Sequence, residues 1–432
     1  VKNDITVQRD TEHVNVPDRY YASLRRGRLS RTLYYSYTEQ RTIEEKRVAR
    51  EDLDIHLRNR PAQLQEAKEK GVKIIGFFPG NYVPEEIIYA SGAIPICLVH
   101  GGGSDTVDAS LEEVPTIMCP FSRAQVGERL LQKTPYYRMI DMLVAPITCQ
   151  HLKKAAEIWE YHGDIEIFKL GIPHQYDTDF GLQYYVDRVK ALKDRVEAIT
   201  GNEVTGEKLS EAVGLYNRIR DLLRKISLLR RNPHLPIRTL EFLKLNHASF
   251  YADPHFMVTT LEAVYEEARN AQQGMDVNMP RLLLLGPNVA YGDYKILELV
   301  ESAGGEIVVE ELCEGTRYYW QNIKTEGDLL QSLATGYLRD RLPCAFMTHS
   351  AKRRLDFTLN LVKDFSVSGL IWYDLLNCET YDSESYFFTQ RMREHKIPML
   401  ILESDYGTLD RGQLRNRIEA FIEQISGVVN HD

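Results

Sequence analysis

The side chains best suited to chemistry in this chain are its six cysteines: Cys97, Cys119, Cys149, Cys313, Cys344 and Cys378. Successive intervals of 22, 30, 164, 31 and 34 residues divide them into two trios, one in each half. No pair has the Cys-x-x-Cys spacing of a zinc knuckle, a redox pair or a haem attachment site. The N-terminal stretch VKNDITVQRD is polar and has no apolar run of signal-peptide length, so a cytoplasmic protein is expected. Structural disulfides are rare in that compartment. The thiols are then either packing residues, since free cysteine behaves as a small hydrophobe, or metal ligands. Thiolates without histidine pairs nearby favour an iron–sulfur cluster over zinc.

The elements that must position these thiols follow from apolar runs. Val72–Phe78, Ala93–Val99, a run through Met142–Ala145 and Ile165–Leu170 read as strands of buried type, separated by helical stretches. Leu282–Leu285, Glu306–Leu312, Ser368–Tyr373 and Pro398–Leu402 repeat that texture, and a closing helix runs from about Arg411 to Ile425. Strand–helix alternation predicts an α/β fold with two doubly wound, flavodoxin- or Rossmann-like parallel-sheet lobes. The expected organisation is a helical N-terminal arm over 1–70, a first lobe over 71–180, a helical linker over 181–279 and a second lobe over 280–432. Ligands of such sheets bind beyond the strands' carboxyl ends. Cys149, Cys313 and Cys378 each fall just after a predicted strand, which weights the cysteines toward ligation.

Three further residues have the chemistry of proton donors. His151 lies two residues after Cys149, His349 follows the strand-like CAFMT, and Glu379 directly follows Cys378. The bland alternatives are partly exposed histidines and a favourable charge at a helix start. The glycine run His100–Gly103 is either a tight turn, an anion cradle or a point where another backbone approaches closely. No nucleophile elbow accompanies it, and the chain has no Walker-type phosphate loop, no zinc-protease helix motif and no dinucleotide fingerprint. The 53 basic and 62 acidic residues leave a net charge of −9, which argues against nucleic acid as a partner. No apolar run reaches membrane-spanning length. Arg25, Arg26, Arg28 and Arg31 form a local basic patch, read as part of a solvated arm or a dimer contact.

Several longer runs carry a family pattern. GFFPGNYVPEEIIYASGAIPICL, IMCPFSRAQVGE and DMLVAPITCQHLKKAAE in the first half, with ELCEGTRYYW, ATGYLRDRLPCAFM and SGLIWYDLLNCETY in the second, occur in one order. From about Gly71 to the C-terminus the chain resembles the 2-hydroxyacyl-CoA dehydratase / benzoyl-CoA reductase family. The resemblance implies two α/β lobes around a [4Fe–4S] cluster held by Cys119, Cys149 and Cys378, with electrons from a separate ATP-hydrolysing iron–sulfur activator. One branch, the double-cubane cluster proteins, uses six cysteines for an [8Fe–9S] unit within each protomer of a homodimer. That branch matches the count here, with Cys97, Cys313 and Cys344 completing the set. The favoured expectation is a low-potential reductase of small molecules. The alternatives are a [4Fe–4S] subunit acting on a CoA thioester beside a paralogous partner, and a non-catalytic electron relay.

Overall fold

Runs such as IIGF, RLLLL and GLIWYDL contain no alternation of polar and apolar residues, as expected of parallel strands covered on both faces. In the computed structural model they are central strands. The structure describes residues 43–163, 165–271 and 279–429. The chain divides into two units, residues 1–48 and 49–432. Of the first, only the opening turn of the helix Ile43–Glu69 is described, and the basic patch Arg25–Arg31 lies outside the described residues. The remainder concerns the second unit.

All eight expected strands are present. In the first lobe β1 (Ile74–Phe77), β2 (Ile94–Cys97), β3 (Met142–Ile147) and β4 (Glu166–Gly171) form a parallel sheet of order β2-β1-β3-β4. In the second, β5 (Arg281–Leu285), β6 (Glu306–Glu311), β7 (Gly369–Leu375) and β8 (Met399–Ser404) repeat it as β6-β5-β7-β8. The order reverses between the first and third strand of each lobe, which opens a crevice at the carboxyl ends.

The middle of the chain is helical as expected: Asp179–Thr200, Gly206–Leu229, Thr239–Ala248 and Pro254–Asn270. Three of the four start on a side-chain cap, Thr178, Thr205 and Asp253, whose oxygens accept amides of the first turn. This segment joins the lobes by buried charge. Arg220 pairs with Glu86 of the first lobe, and Arg230, at the end of the same helix, pairs with Glu310 of β6 at 2.7 Å. Among the described residues no helix is long and apolar enough to cross a membrane.

A second seam joins the loops after β2 and β5. The Gly102 amide donates to the Tyr291 carbonyl (3.1 Å) and the Tyr291 amide to that of Val99 (2.7 Å). Of the three roles open to the glycine run, close approach of another backbone is the one observed. A Cβ on Gly102 would lie 2.3 Å from the Asp293 amide nitrogen. His100 and His247 are buried on either side of Tyr291, with ring centroids 4.8 and 6.1 Å from its own. Burial holds His100 down at about 3 and His247 at about 4.

This packing makes two predictions. Gly102→Ala will wedge the loops apart and lower stability by about 1–3 kcal/mol or more in calorimetry, whereas Gly214→Ala, on an open helix face, will be neutral or stabilising. Both buried histidines are neutral in the fold and protonate near pH 6.5 when unfolded. Their contribution is therefore complete above pH 6.5 and shrinks as pH falls toward 4, by about 1.4 kcal/mol per unit for each. Melting temperatures across that range should show this loss, and His247→Phe should roughly halve it, leaving the His100 share.

Candidate functional site

Thiol chemistry in this fold begins with helix starts. Cys119 precedes the helix Pro120–Leu131, Cys149 the helix Gln150–Tyr161 and Cys378 the helix Glu379–Glu394, each as the N-cap residue. The positive end of a helix favours a thiolate over a thiol. At Cys149 the geometry is explicit, with the Leu152 amide donating to Sγ at 3.5 Å. The other three are placed by strands and turns. Cys97 ends β2, Cys313 follows β6 by two residues, and Cys344 lies in the turn before the helix Ser350–Asp364. The lobes therefore carry their cysteines at matching places: after the second strand (Cys97, Cys313), on the way to the third (Cys119, Cys344), and capping the helix beyond it (Cys149, Cys378).

All six thiols are free, and five of them meet across the crevice. Cys378 and Cys119 lie beside one another across the lobes, close enough for each to shift the other's ionisation. The Asn377 side chain ties the same two loops by donating to the Thr116 carbonyl at 3.2 Å. Cys313 and Cys344 form a second pair. Cys149 lies between, within electrostatic reach of Cys119 and Cys344. The Cys378 thiol, His151 and the Ser122 and Phe121 amides bring Cys119 down to about 5. Donation from Cys313, then the Arg317 and Arg354 charges, bring Cys344 to about 5. Burial pushes Cys149 up to about 11. Cys97 is placed differently: burial, then the Glu85 and Glu314 carboxyls, push its thiol well up, and no cysteine is among these influences.

Each pair has its own surroundings. Arg317 donates from Nη1 to Cys313 Sγ at 3.2 Å and pairs through Nε with Glu311 at 2.9 Å. Arg354 pairs with Glu311 at 3.2 Å and also with Glu384. The Tyr381 hydroxyl lies 3.8 Å from Cys344 Sγ, and the Cys344 amide donates to the Tyr82 hydroxyl at 3.1 Å. Beside Cys119 and Cys378 the Tyr406 hydroxyl and Asp374 Oδ1 are buried without a hydrogen-bond partner. Burial, with the Asp382 and Glu403 charges, raises Asp374 to about 8.

Of the suspected proton donors, His151 is brought to the thiols. Its Nδ1 accepts the Cys119 amide at 3.2 Å, and the Cys119 sulfur and the Glu379 charge raise its pKa. Glu379 is exposed at the helix start within reach of that imidazole. His349 is on the surface, 79% exposed, with Nδ1 3.5 Å from Asp177. Arg317, Arg354, Tyr381, Tyr406 and Asp374 escape a reading of the sequence. Only Arg317, one helical turn after Cys313, and Asp374, four residues before Cys378, leave a local hint. Among the described residues no three His, Cys, Asp or Glu side chains converge on a point that could hold a single metal ion.

Known proteins share this chain's pattern over most of its length. The family model described as 2-hydroxyglutaryl-CoA dehydratase, D-component, matches residues 81–425. The putative dehydratase subunit YjiM of Escherichia coli (strain K12) is 27% identical over 367 residues, 84% of this chain and 94% of that protein. The β subunit of (R)-2-hydroxyglutaryl-CoA dehydratase from Acidaminococcus fermentans is 24% identical, covering 84% of this chain and 95% of that one. One of the subunits of benzoyl-CoA reductase from Thauera aromatica is 21% identical, over 87% of this chain and 95% of that one.

The charge network beside Cys313 and Cys344 generates a stability prediction. Arg354→Met leaves Glu384 and part of Glu311 buried without a counter-charge, and should cost about 3–5 kcal/mol in denaturant unfolding.

Proposed function

Because the chain belongs to the 2-hydroxyglutaryl-CoA dehydratase D-component family, we propose that it is an enzyme built around an iron–sulfur group, and specifically a low-potential reductase of small molecules. One observation carries this reading: five thiols from two lobes meet at the carboxyl edges of both sheets. They meet as two pairs with a fifth between, a spread unsuited to one ion and suited to a multinuclear cluster. Two orphaned polar atoms, Tyr406 Oη and Asp374 Oδ1, face the Cys119–Cys378 side. The Tyr406 hydroxyl, and the Asp374 carboxyl in the protonated form that its raised pKa favours, are donors that the sulfides of a bound cluster would accept from.

The residues that would hold the group are Cys119, Cys149, Cys313, Cys344 and Cys378, with Cys97 as the sixth ligand of an [8Fe–9S] double cubane. When bound, such a group supplies electrons at low potential, received from a separate ATP-hydrolysing [4Fe–4S] activator. The chain's own residues do the rest. Cys119 and Cys313 are buried and Cys149, Cys344 and Cys378 partly so, and the Leu152 amide and the Arg317 guanidinium donate to Cys149 and Cys313. Arg317 and Arg354 hold positive charge against a site that gains electrons. His151 accepts the Cys119 amide through Nδ1 and fixes the loop that carries that thiol. The chain would act as a homodimer.

A second reading has support of its own. Cys97 faces carboxyl groups, and several relatives are named as subunits of dehydratases and a reductase of CoA thioesters. In that reading Cys119, Cys149 and Cys378 hold a single [4Fe–4S] cluster, and the chain works on a CoA thioester beside a paralogous partner.

Iron and acid-labile sulfide per chain, measured on protein purified without oxygen, separate the two. The double cubane requires about eight irons and nine sulfides, and the single cluster about four of each. In the first case Cys97→Ser, Cys313→Ser and Cys344→Ser each lose iron. Full loading in all three variants would exclude the double cubane.

A further inference from the structure

The four most deeply buried guanidinium groups come with carboxylates, whereas Arg60 and Arg123, also buried, donate to carbonyl, amide and hydroxyl oxygens. Arg220 has Glu86, Arg230 has Glu310, Arg317 has Glu311 and Arg354 has Glu384. Arg341 departs from the pattern. It is 2% exposed, and among the described residues no carboxylate lies within ion-pair distance of it. Its Nη1 donates only a long bond, 3.4 Å, to the Asn81 carbonyl, and its Nε–H and Nη2–H groups have no partner. Its flat face is covered by the Tyr337 ring, 3.7 Å from Cζ, with Tyr318 farther off. Only the edge of the fork, with its donors, is left for a ligand. A buried charged donor without an acceptor is costly.

The backbone around Arg341 is also unusual. The residue ends a π-helical turn, Gly336–Asp340, a form found often at functional sites. Its side chain lines a cavity at the carboxyl ends of β1 and β2, shared with Glu85, Cys97, Glu314, Tyr318 and Tyr337. Inside its mouth the cavity is narrow, with room for little more than a water-sized body. The occupant is therefore very small. The two carboxyls that line it are engaged elsewhere. Glu85 accepts from the Tyr318 hydroxyl at 2.7 Å, and Glu314 from the Val289 amide and Asn288 at 2.6 and 2.9 Å.

We infer that this cavity binds a small anion with a planar carboxylate-like head, gripped by the free edge of the Arg341 guanidinium. Fork-shaped donors match such a head at two points, and the cavity's size excludes a bulky substituent behind it. The site shares Cys97 with the sixth-ligand position of the double cubane, so it rests on the reading in which Cys97 stays a free thiol, and iron content per chain separates failure of that reading from failure of the anion site.

The test is calorimetric titration of the full chain, purified without oxygen, with sodium formate and separately with sodium pivalate. Formate should bind once per chain and pivalate should not. Arg341→Lys keeps the charge but loses the fork, and should weaken formate binding roughly tenfold to a hundredfold. Val83→Ile, which adds one methylene to the cavity wall, should weaken it with Arg341 intact and guards against misfolding of the first variant. No formate binding to the unaltered chain at tens of millimolar would overturn the inference. So would equal binding of pivalate, or formate binding unchanged in both variants.

Discussion

A charge taken out of water costs several kcal/mol unless another charge or dipole meets it, and this protein buries charge wherever its lobes must hold their places. Arg220 and Arg230 lie near the end of one long helix and reach Glu86 in the first lobe and Glu310 in the second. Either arginine deprived of its partner would be a large penalty, so the helix holds both sheets at once. Between them the loops after β2 and β5 run backbone to backbone at Gly102, where only glycine leaves room. The meeting of thiols from opposite lobes depends on this placement.

Given that placement, the sulfurs are held by two different physical devices. Cys119, Cys149 and Cys378 are favoured by the positive ends of helices. Cys313 and Cys344 rely on side-chain charge from Arg317 and Arg354, themselves balanced by Glu311 and Glu384. The cysteines occupy matching places in two sheets of the same strand order, yet their surroundings differ. The site has two-fold likeness in backbone and not in electrostatics.

Much of this was legible in the chain itself. Eight apolar runs became eight strands, and the helical middle and both lobes appeared where alternation placed them. Strand ends shifted by only a residue or two, because fully buried parallel strands write a continuous apolar signal. Cys149, Cys313 and Cys378, read as lying just after strands, are brought together with Cys119 and Cys344. Cys97 also ends a strand, but β2 is an edge strand whose end points to a cavity with Glu85 and Glu314. His349 read like His151 in sequence and lies on the surface beside Asp177. Nothing local distinguishes the two, since what separates them is which loop faces the crevice.

Residue type and order by themselves determined the fold class, the strand and helix succession, the family and the identity of the thiols, because each depends on local periodicity or on motif. Tertiary structure alone decided the partners. Arg354 meets Glu311, 43 positions away along the chain. Cys119 meets Cys378 across the lobes, and Arg341 is left with two donors unmet beside a cavity that it shares with Glu85 and Glu314. Pairings of that kind arise from how two sheets are pressed together. Spacing along a chain does not encode the direction in which a loop delivers its side chain.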